Sequence, residues 1–186
     1  MRKLIETTFV TLDAVISDTT PSTNPKAQPQ TWGSPYWDDE HGGYASNLLF
    51  AADALLLGRV TYEGFAQAWP PRKGELAGRI NTMPKYVASR TLQDATWNAT
   101  IIKGDVAEEV ARLKDQPGQD ILKYGTGELD RTLMERNLVD EFHFWMFPVA
   151  LGAGQRLFDG IDTTHLKLVD TTKFKSGIVV LVYAPK

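Results

Sequence analysis

The chain has 186 residues, with 20 Lys plus Arg against 23 Asp plus Glu and a formal charge of -3. That length fits one α/β domain spanning residues 1–186, and the charge gives no electrostatic ground for duplex nucleic acid or an anionic membrane as partner. Cysteine is absent, which excludes disulfides, thiolate metal sites and cysteine nucleophiles.

Taken in chain order, Leu4 to Thr11 reads as a first strand; the apolar run from Met1 to Val10 is broken by Glu6 and lacks a signal-peptide core. No later run reaches the roughly 20 apolar residues of a membrane span, so the cytoplasm is the expected compartment. Ser17 to Pro35 is rich in Thr, Pro, Ser, Asn and Gln and reads as one long loop. Trp32, Tyr36 and Trp37 crowd its exit, which favours a lid over a solvated tether. Asp38, Asp39 and Glu40 then read as a solvated acidic loop. Ala54 to Leu57 is a short buried strand, a helix begins near Arg59, and Tyr86 to Ala88 and Ala99 to Ile102 are further strands. Asp105 and Glu108 have capping-box spacing before Val106, Val110 and Leu113, and Pro117-Gly118 stops that helix. Ile121 to Tyr124 is a fifth strand, Leu129, Leu133 and Leu138 mark another helix, and Glu141 to Met146 a sixth strand. Leu166 to Phe174 and Ile178 to Tyr183, joined by Lys175-Ser176-Gly177, form a terminal hairpin. Strand and helix alternate throughout, so the expected fold is α/β with a mostly parallel sheet and an antiparallel hairpin at its edge.

Three strand ends carry anion chemistry. In Leu57-Gly58-Arg59-Val60-Thr61-Tyr62 a buried strand turns through glycine into a helix, whose free N–H groups and dipole favour negative charge beside Arg59. Tyr124-Gly125-Thr126-Gly127 opens a second helix, and both glycines can take conformations a side chain forbids. Ser89-Arg90-Thr91 flanks a guanidinium with two hydroxyls, suitable chemistry for binding a phosphate monoester. Each segment alone is equally a tight turn or a polar strand end. Together, outside the carboxyl ends of one sheet, they fit a dinucleotide with an extra phosphate.

These segments resemble the dihydrofolate reductase superfamily over nearly the whole chain, closest to the reductase domain of riboflavin biosynthesis. Leu12-Asp13-Ala14-Val15-Ile16-Ser17 resembles the first-strand exit beside the nicotinamide, and Leu57 to Tyr62 resembles the family's G-R-x-T-[WY] segment. Leu138-Val139-Asp140-Glu141-Phe142-His143 through Pro148, then Gly152-Ala153-Gly154 and Leu157-Phe158, resemble the riboflavin-type reductases most. The resemblance implies a three-layer sandwich and an NADPH-dependent reductase, a homodimer, that reduces 5-amino-6-(5-phosphoribosylamino)uracil or a similar heterocycle. It implies Ile16, Gly58, Arg59, Thr61, Ser89, Arg90, Thr91, Gly125, Thr126, Gly127 and Leu129 as cofactor contacts. An unusual backbone at Gly125-Thr126, such as a cis peptide, is implied as well.

The departure lies where proton transfer is decided. Trp37 has the spacing from Gly58 of the dihydrofolate reductases' tryptophan, yet the place of their carboxylate falls on Gly42. Asp38 or Asp39 is the candidate proton donor in its stead, with ordered water as the alternative. Phe9, Trp37, Tyr124 and Trp145 are candidates for the substrate wall, although Trp145, Met146 and Phe147 also read as core or dimer interface. His41, His143 and His165 are too scattered for a metal site, and His143 reads as a hydrogen-bonded sheet residue. Dihydrofolate or pterin reduction, flavin binding and a dinucleotide-binding module without turnover remain alternatives.

Overall fold

The computed structural model describes residues 1–17 and 31–186, so most of the expected lid, residues 18–30, lies outside the described residues. Eight strands form the main sheet: β1 (Leu4–Thr11), β3 (Ala52–Gly58), β4 (Lys85–Ala88), β5 (Ala99–Ile102), β6 (Asp120–Tyr124), β7 (Glu141–Phe147), β9 (Leu166–Lys173) and β10 (Val179–Pro185). Their spatial order is β5-β4-β3-β6-β1-β7-β10-β9, parallel from β5 to β7 and antiparallel across β10 and β9. A separate ribbon pairs β2 (Val15–Ser17) with β8 (Gln155–Arg156).

Parallel neighbours need crossovers, and five helices supply cover for both faces: α1 (Asp39–Ala51), α2 (Arg59–Ala68), α3 (Glu75–Thr82), α4 (Val106–Asp115) and α5 (Glu128–Glu135). Alternation along the strands divides the core. Ile5, Leu55, Leu57 and Leu122 pack on Leu49 of α1, Tyr62 of α2 and Ile80 of α3. Leu4, Leu56, Ile121, Phe142 and Phe144 pack on Val110 and Leu113 of α4 and Leu133 of α5. The result is the expected three-layer α/β sandwich with a mostly parallel centre and a terminal antiparallel pair.

Three helical stretches depart from the sequence expectation. The acidic stretch is not a loop: Asp38 is the N-cap of α1, its Oδ1 accepting the N–H groups of Glu40 (2.9 Å) and His41 (3.2 Å). His41 completes the cap by accepting the Asp38 N–H at Nδ1, 2.8 Å away. Gly42, Gly43 and Ser46 dilute the apolar periodicity of α1, so its stability comes from this cap and from burial of His41 and Leu49. After β3 there are two short helices, α2 and α3, where one was expected. Leu138 lies past α5: Asn137 adopts φ +51° and the Leu138 N–H returns to the Leu133 carbonyl (2.9 Å), a C-terminal cap. Asp105 caps α4 as its spacing predicts, accepting the Glu108 N–H at 3.0 Å. No helix among the described residues is long and apolar enough to cross a membrane.

Candidate active site

Because β4, β3, β6 and β1 run parallel and adjacent, their carboxyl ends leave the sheet on one edge in that order. Ser89-Arg90-Thr91, Gly58-Arg59, Gly125-Thr126-Gly127 and the Asp13–Ser17 exit are thereby neighbours, although they span more than a hundred positions of sequence. Leu57 stands beside Tyr124, and Gly58 beside Ala88. The two glycine turns touch: a Cβ added to Gly125 would lie 3.1 Å from Thr61 Oγ1.

The three glycines act differently. Gly125 donates its N–H to the Thr7 carbonyl (3.0 Å) and sits at φ +74°, in the left-handed region that disfavours any side chain. Of the unusual backbone expected at Gly125-Thr126, the left-handed φ of Gly125 is present and the cis peptide is not: among the described residues every peptide is trans. Gly127 (φ 176°) and Gly58 (φ -74°) have backbones that other residues adopt, so of the two glycines in the turn only Gly125 uses the freedom that glycine allows. What these two positions provide is room, since nothing lies within 4 Å of an added Cβ at either. Backbone at the starts of α5 and α2 is therefore open to close approach.

The expected cations stand at the rim with exposed partners. Arg59 pairs with Glu63 one helical turn on (2.9 Å), and Arg90 with Glu128 of α5 (2.9 Å). Both members of the latter pair are about nine-tenths exposed, at 89% and 90%. Such surface pairs hold weakly, so either arginine can be redirected to a stronger anion. Ser89 Oγ accepts the N–H groups of Thr91 (3.2 Å) and Leu92 (2.9 Å), fixing the turn that presents Arg90. A small cavity of about 70 Å³ gathers Ile16, Thr126 and Gly127 with Arg131, Arg156 and Phe158. Leu129, by contrast, packs inward against the core. Arg131 and Arg156 were not singled out by sequence; the position of Arg131 one turn into α5 was the available signal. Asp13 holds this side together: it accepts Thr11 Oγ1–H (2.5 Å), Leu151 N–H (3.2 Å) and Gly152 N–H (2.7 Å), and these bonds lower its carboxyl to about 2.

Beside this polar edge stands an aromatic wall at the ends of β1 and β7. Phe9 packs against Trp37, Trp145 and Phe147 at centroid distances of 5.6, 5.6 and 5.1 Å, and Trp37 stacks on Trp145 at 5.8 Å. Phe9 and Trp37 are 41% and 44% exposed. Trp145 is buried, its Nε1–H donated to Thr7 Oγ1 (2.9 Å), so it backs the wall and does not face outward. Trp32 and Tyr36 also pack against Phe147. Tyr124 stands apart against Phe65 (5.3 Å), and burial pushes its phenol well above the ordinary value.

Asp38 and Asp39 follow Trp37 directly at the start of α1, Asp38 engaged as cap and Asp39 exposed. Buried His41 ties that cap to the final hairpin through Ser176 Oγ, 2.9 Å from Nε2. His143 lies in the sheet between Tyr44 Oη (2.9 Å) and Glu141 Oε2 (3.4 Å); burial lowers its pKa against the opposing pull of Glu141. Among the described residues no group of three or more His, Asp or Glu side chains could hold a metal ion.

The solved structures most like this one include a putative riboflavin biosynthesis protein from Shewanella sp. PV-4, with TM-score 0.70 and 20% identity over 99% of both chains. A pyrimidine reductase-like protein from Corynebacterium diphtheriae has TM-score 0.66 at 12% identity over 100% of this chain and 92% of that one. A diaminohydroxyphosphoribosylaminopyrimidine deaminase/5-amino-6-(5-phosphoribosylamino)uracil reductase from Thermotoga maritima has TM-score 0.65 at 15% identity over 100% of this chain and 57% of that one. At such identities they show the fold. The uncharacterized protein YyaP of Bacillus subtilis is 37% identical over 144 residues, 74% of this chain and 77% of YyaP. Residues 2–180 match the family of the RibD C-terminal domain, and the chain belongs to that family.

Proposed function

We propose that the chain is an NADPH-dependent reductase of a small planar heterocycle carrying a C=N bond or a ribosylamino imine. One observation carries this reading: three adjacent strand ends place open helix starts at Gly58 and Gly127, with Arg59 and Arg90 at the rim, and the next strands of the sheet, β1 and β7, carry the aromatic wall with the exposed Phe9 and Trp37 rings. Free space where a Cβ would stand fits pyrophosphate approaching backbone N–H groups. Ser89, Arg90 and Thr91 would hold a 2'-phosphate, the Gly125-Thr126-Gly127 turn would lie against the pyrophosphate, and Ile16 would border the nicotinamide end. NADPH supplies the hydride. The protein's part is to orient cofactor and ring and to exclude water, which is where most of the rate would arise. The proton for the acceptor nitrogen comes from Asp38, Asp39 or an ordered water; Asp39 has the freer carboxyl, since Asp38 caps α1.

Titrating NADPH and NADH into the wild type and Arg90→Ala tests the reading. The wild type should prefer NADPH by about tenfold or more, as expected for a charge-assisted pair, and the variant should lose most of that preference. Equal affinities in the wild type sink it. A second reading, a binding module without turnover, is favoured by the absence of a carboxylate at Gly42 and by the capping role of Asp38. Cofactor oxidation with pterin, dihydrofolate and ribosylamino-pyrimidine substrates separates the two. In the enzyme reading with a protein acid, Asp38→Asn or Asp39→Asn lowers kcat by roughly 10²-fold with cofactor affinity retained.

A further inference from the structure

Beneath the Gly125–Gly127 turn lie three ionisable side chains from three elements: Glu6 of β1, Lys123 of β6 and Asp130 of α5, each 1% exposed. Lys123 Nζ is in ion contact with Asp130 Oδ1 and lies 3.6 Å from Glu6 Oε2. Each member also grips a different residue of the turn. Lys123 Nζ donates to the Gly125 carbonyl (2.5 Å), Glu6 Oε1 accepts the Thr126 hydroxyl (3.0 Å), and Asp130 Oδ2 accepts the Gly127 N–H (2.5 Å).

We propose that Glu6, Lys123 and Asp130 form a buried positioning triad that sets the shape of the Gly125-Thr126-Gly127 turn and so its fit to a dinucleotide phosphate, an inference that rests on the cofactor reading above. Stability gives no reason for such a group. Taking three ionisable groups out of water is costly, and apolar residues of similar volume hold a core at least as well. A turn that must present open backbone to an anion does give one. Its three residues are fixed by short bonds from below, which leaves the outer side of Gly127 free. Charge balance agrees. A bare Asp130 carboxylate behind the start of α5 would repel a phosphate, and Lys123 neutralises it. Glu6 would return the group to net negative if ionised; burial, against the opposing pull of Lys123 and together with the nearby Asp130 charge, raises its pKa well above the ordinary value and so favours its neutral form.

The test uses the charge-balanced double variant Lys123→Met/Asp130→Asn, chosen because it leaves no unpaired buried charge. In the full-length protein NADPH affinity and amide exchange of residues 125–127 are measured without and with cofactor. The expected result is NADPH binding weakened about tenfold or more and turn amides exchanging correspondingly faster, with cooperative melting retained. Glu6→Ala should act in the same direction, and Glu6→Gln, which keeps the acceptor for Thr126, should recover most of the loss. A double variant with wild-type affinity overturns the proposal, whether or not its turn loosens, and so does a Glu6→Gln no better than Glu6→Ala. If the wild type binds neither NADPH nor NADH, the cofactor reading fails; unchanged turn exchange in the variant would then remove the triad's role too, and faster exchange would uphold its hold on the turn.

Discussion

The carboxyl edge of the sheet joins two regions built on opposite terms. On the β4-β3-β6 side, backbone is left open, glycines stand where side chains would block approach, and the arginines are held only by exposed pairs. On the β1-β7 side Trp145, Phe147, Phe174 and Val180 are buried together, and Phe9 and Trp37 rest on that packed base. The first region leaves open space over its backbone, while the second offers a packed apolar surface. Substitutions should therefore separate stability from binding according to the side on which they fall.

The largest effect on stability should come from the aromatic side. Trp145→Ala removes a buried ring and strands Thr7 Oγ1, and should cost about 3–5 kcal/mol in urea denaturation. A loss below ~1 kcal/mol would mean the wall is not a packed base. Gly125→Ala lies at the boundary: φ +74° and Thr61 Oγ1 at 3.1 Å should make it cost about 1–2 kcal/mol, with NADPH binding weakened as well. Wild-type stability and affinity in this variant would break the account of the turn.

A smaller effect concerns Asp13, which ties the β1 exit to Leu151 and Gly152. Its folded carboxyl, at about 2, lies below the ordinary 3.8, so its contribution is present above pH 3.8 and is lost as pH falls through about 2. Asp13→Asn should be less stable than the wild type at neutral pH, with the two converging in acid. Parallel curves down to pH 2 would contradict the assignment. The smallest effect on stability, and the sharpest contrast, belongs to Gly58→Ser. An N-cap hydroxyl suits the extended backbone of Gly58, so stability should hold or rise by a few tenths of a kcal/mol, while NADPH binding falls because the space over α2 is filled. Unimpaired binding would remove Gly58 from the site.

What the sequence by itself determined is local and periodic. The spans of β1 and β5, the Asp105 cap, the α/β alternation and the glycine turns from strand to helix each follow from bonds or burial within a few residues. The helix α1 escaped because its two glycines weaken the apolar repeat, and its cap depends on a histidine buried against the later hairpin. Only the tertiary structure decided which turns become neighbours, since the order β4-β3-β6-β1 is a matter of crossovers. It also decided that Trp145 supports the wall from behind, and that Glu6, Lys123 and Asp130 meet under one loop. The reason is the same in each case. Strand pairing and buried charge compensation join residues on separate elements, in β1–β6 and Glu6–Lys123 more than a hundred positions apart, and no local pattern records such a partner.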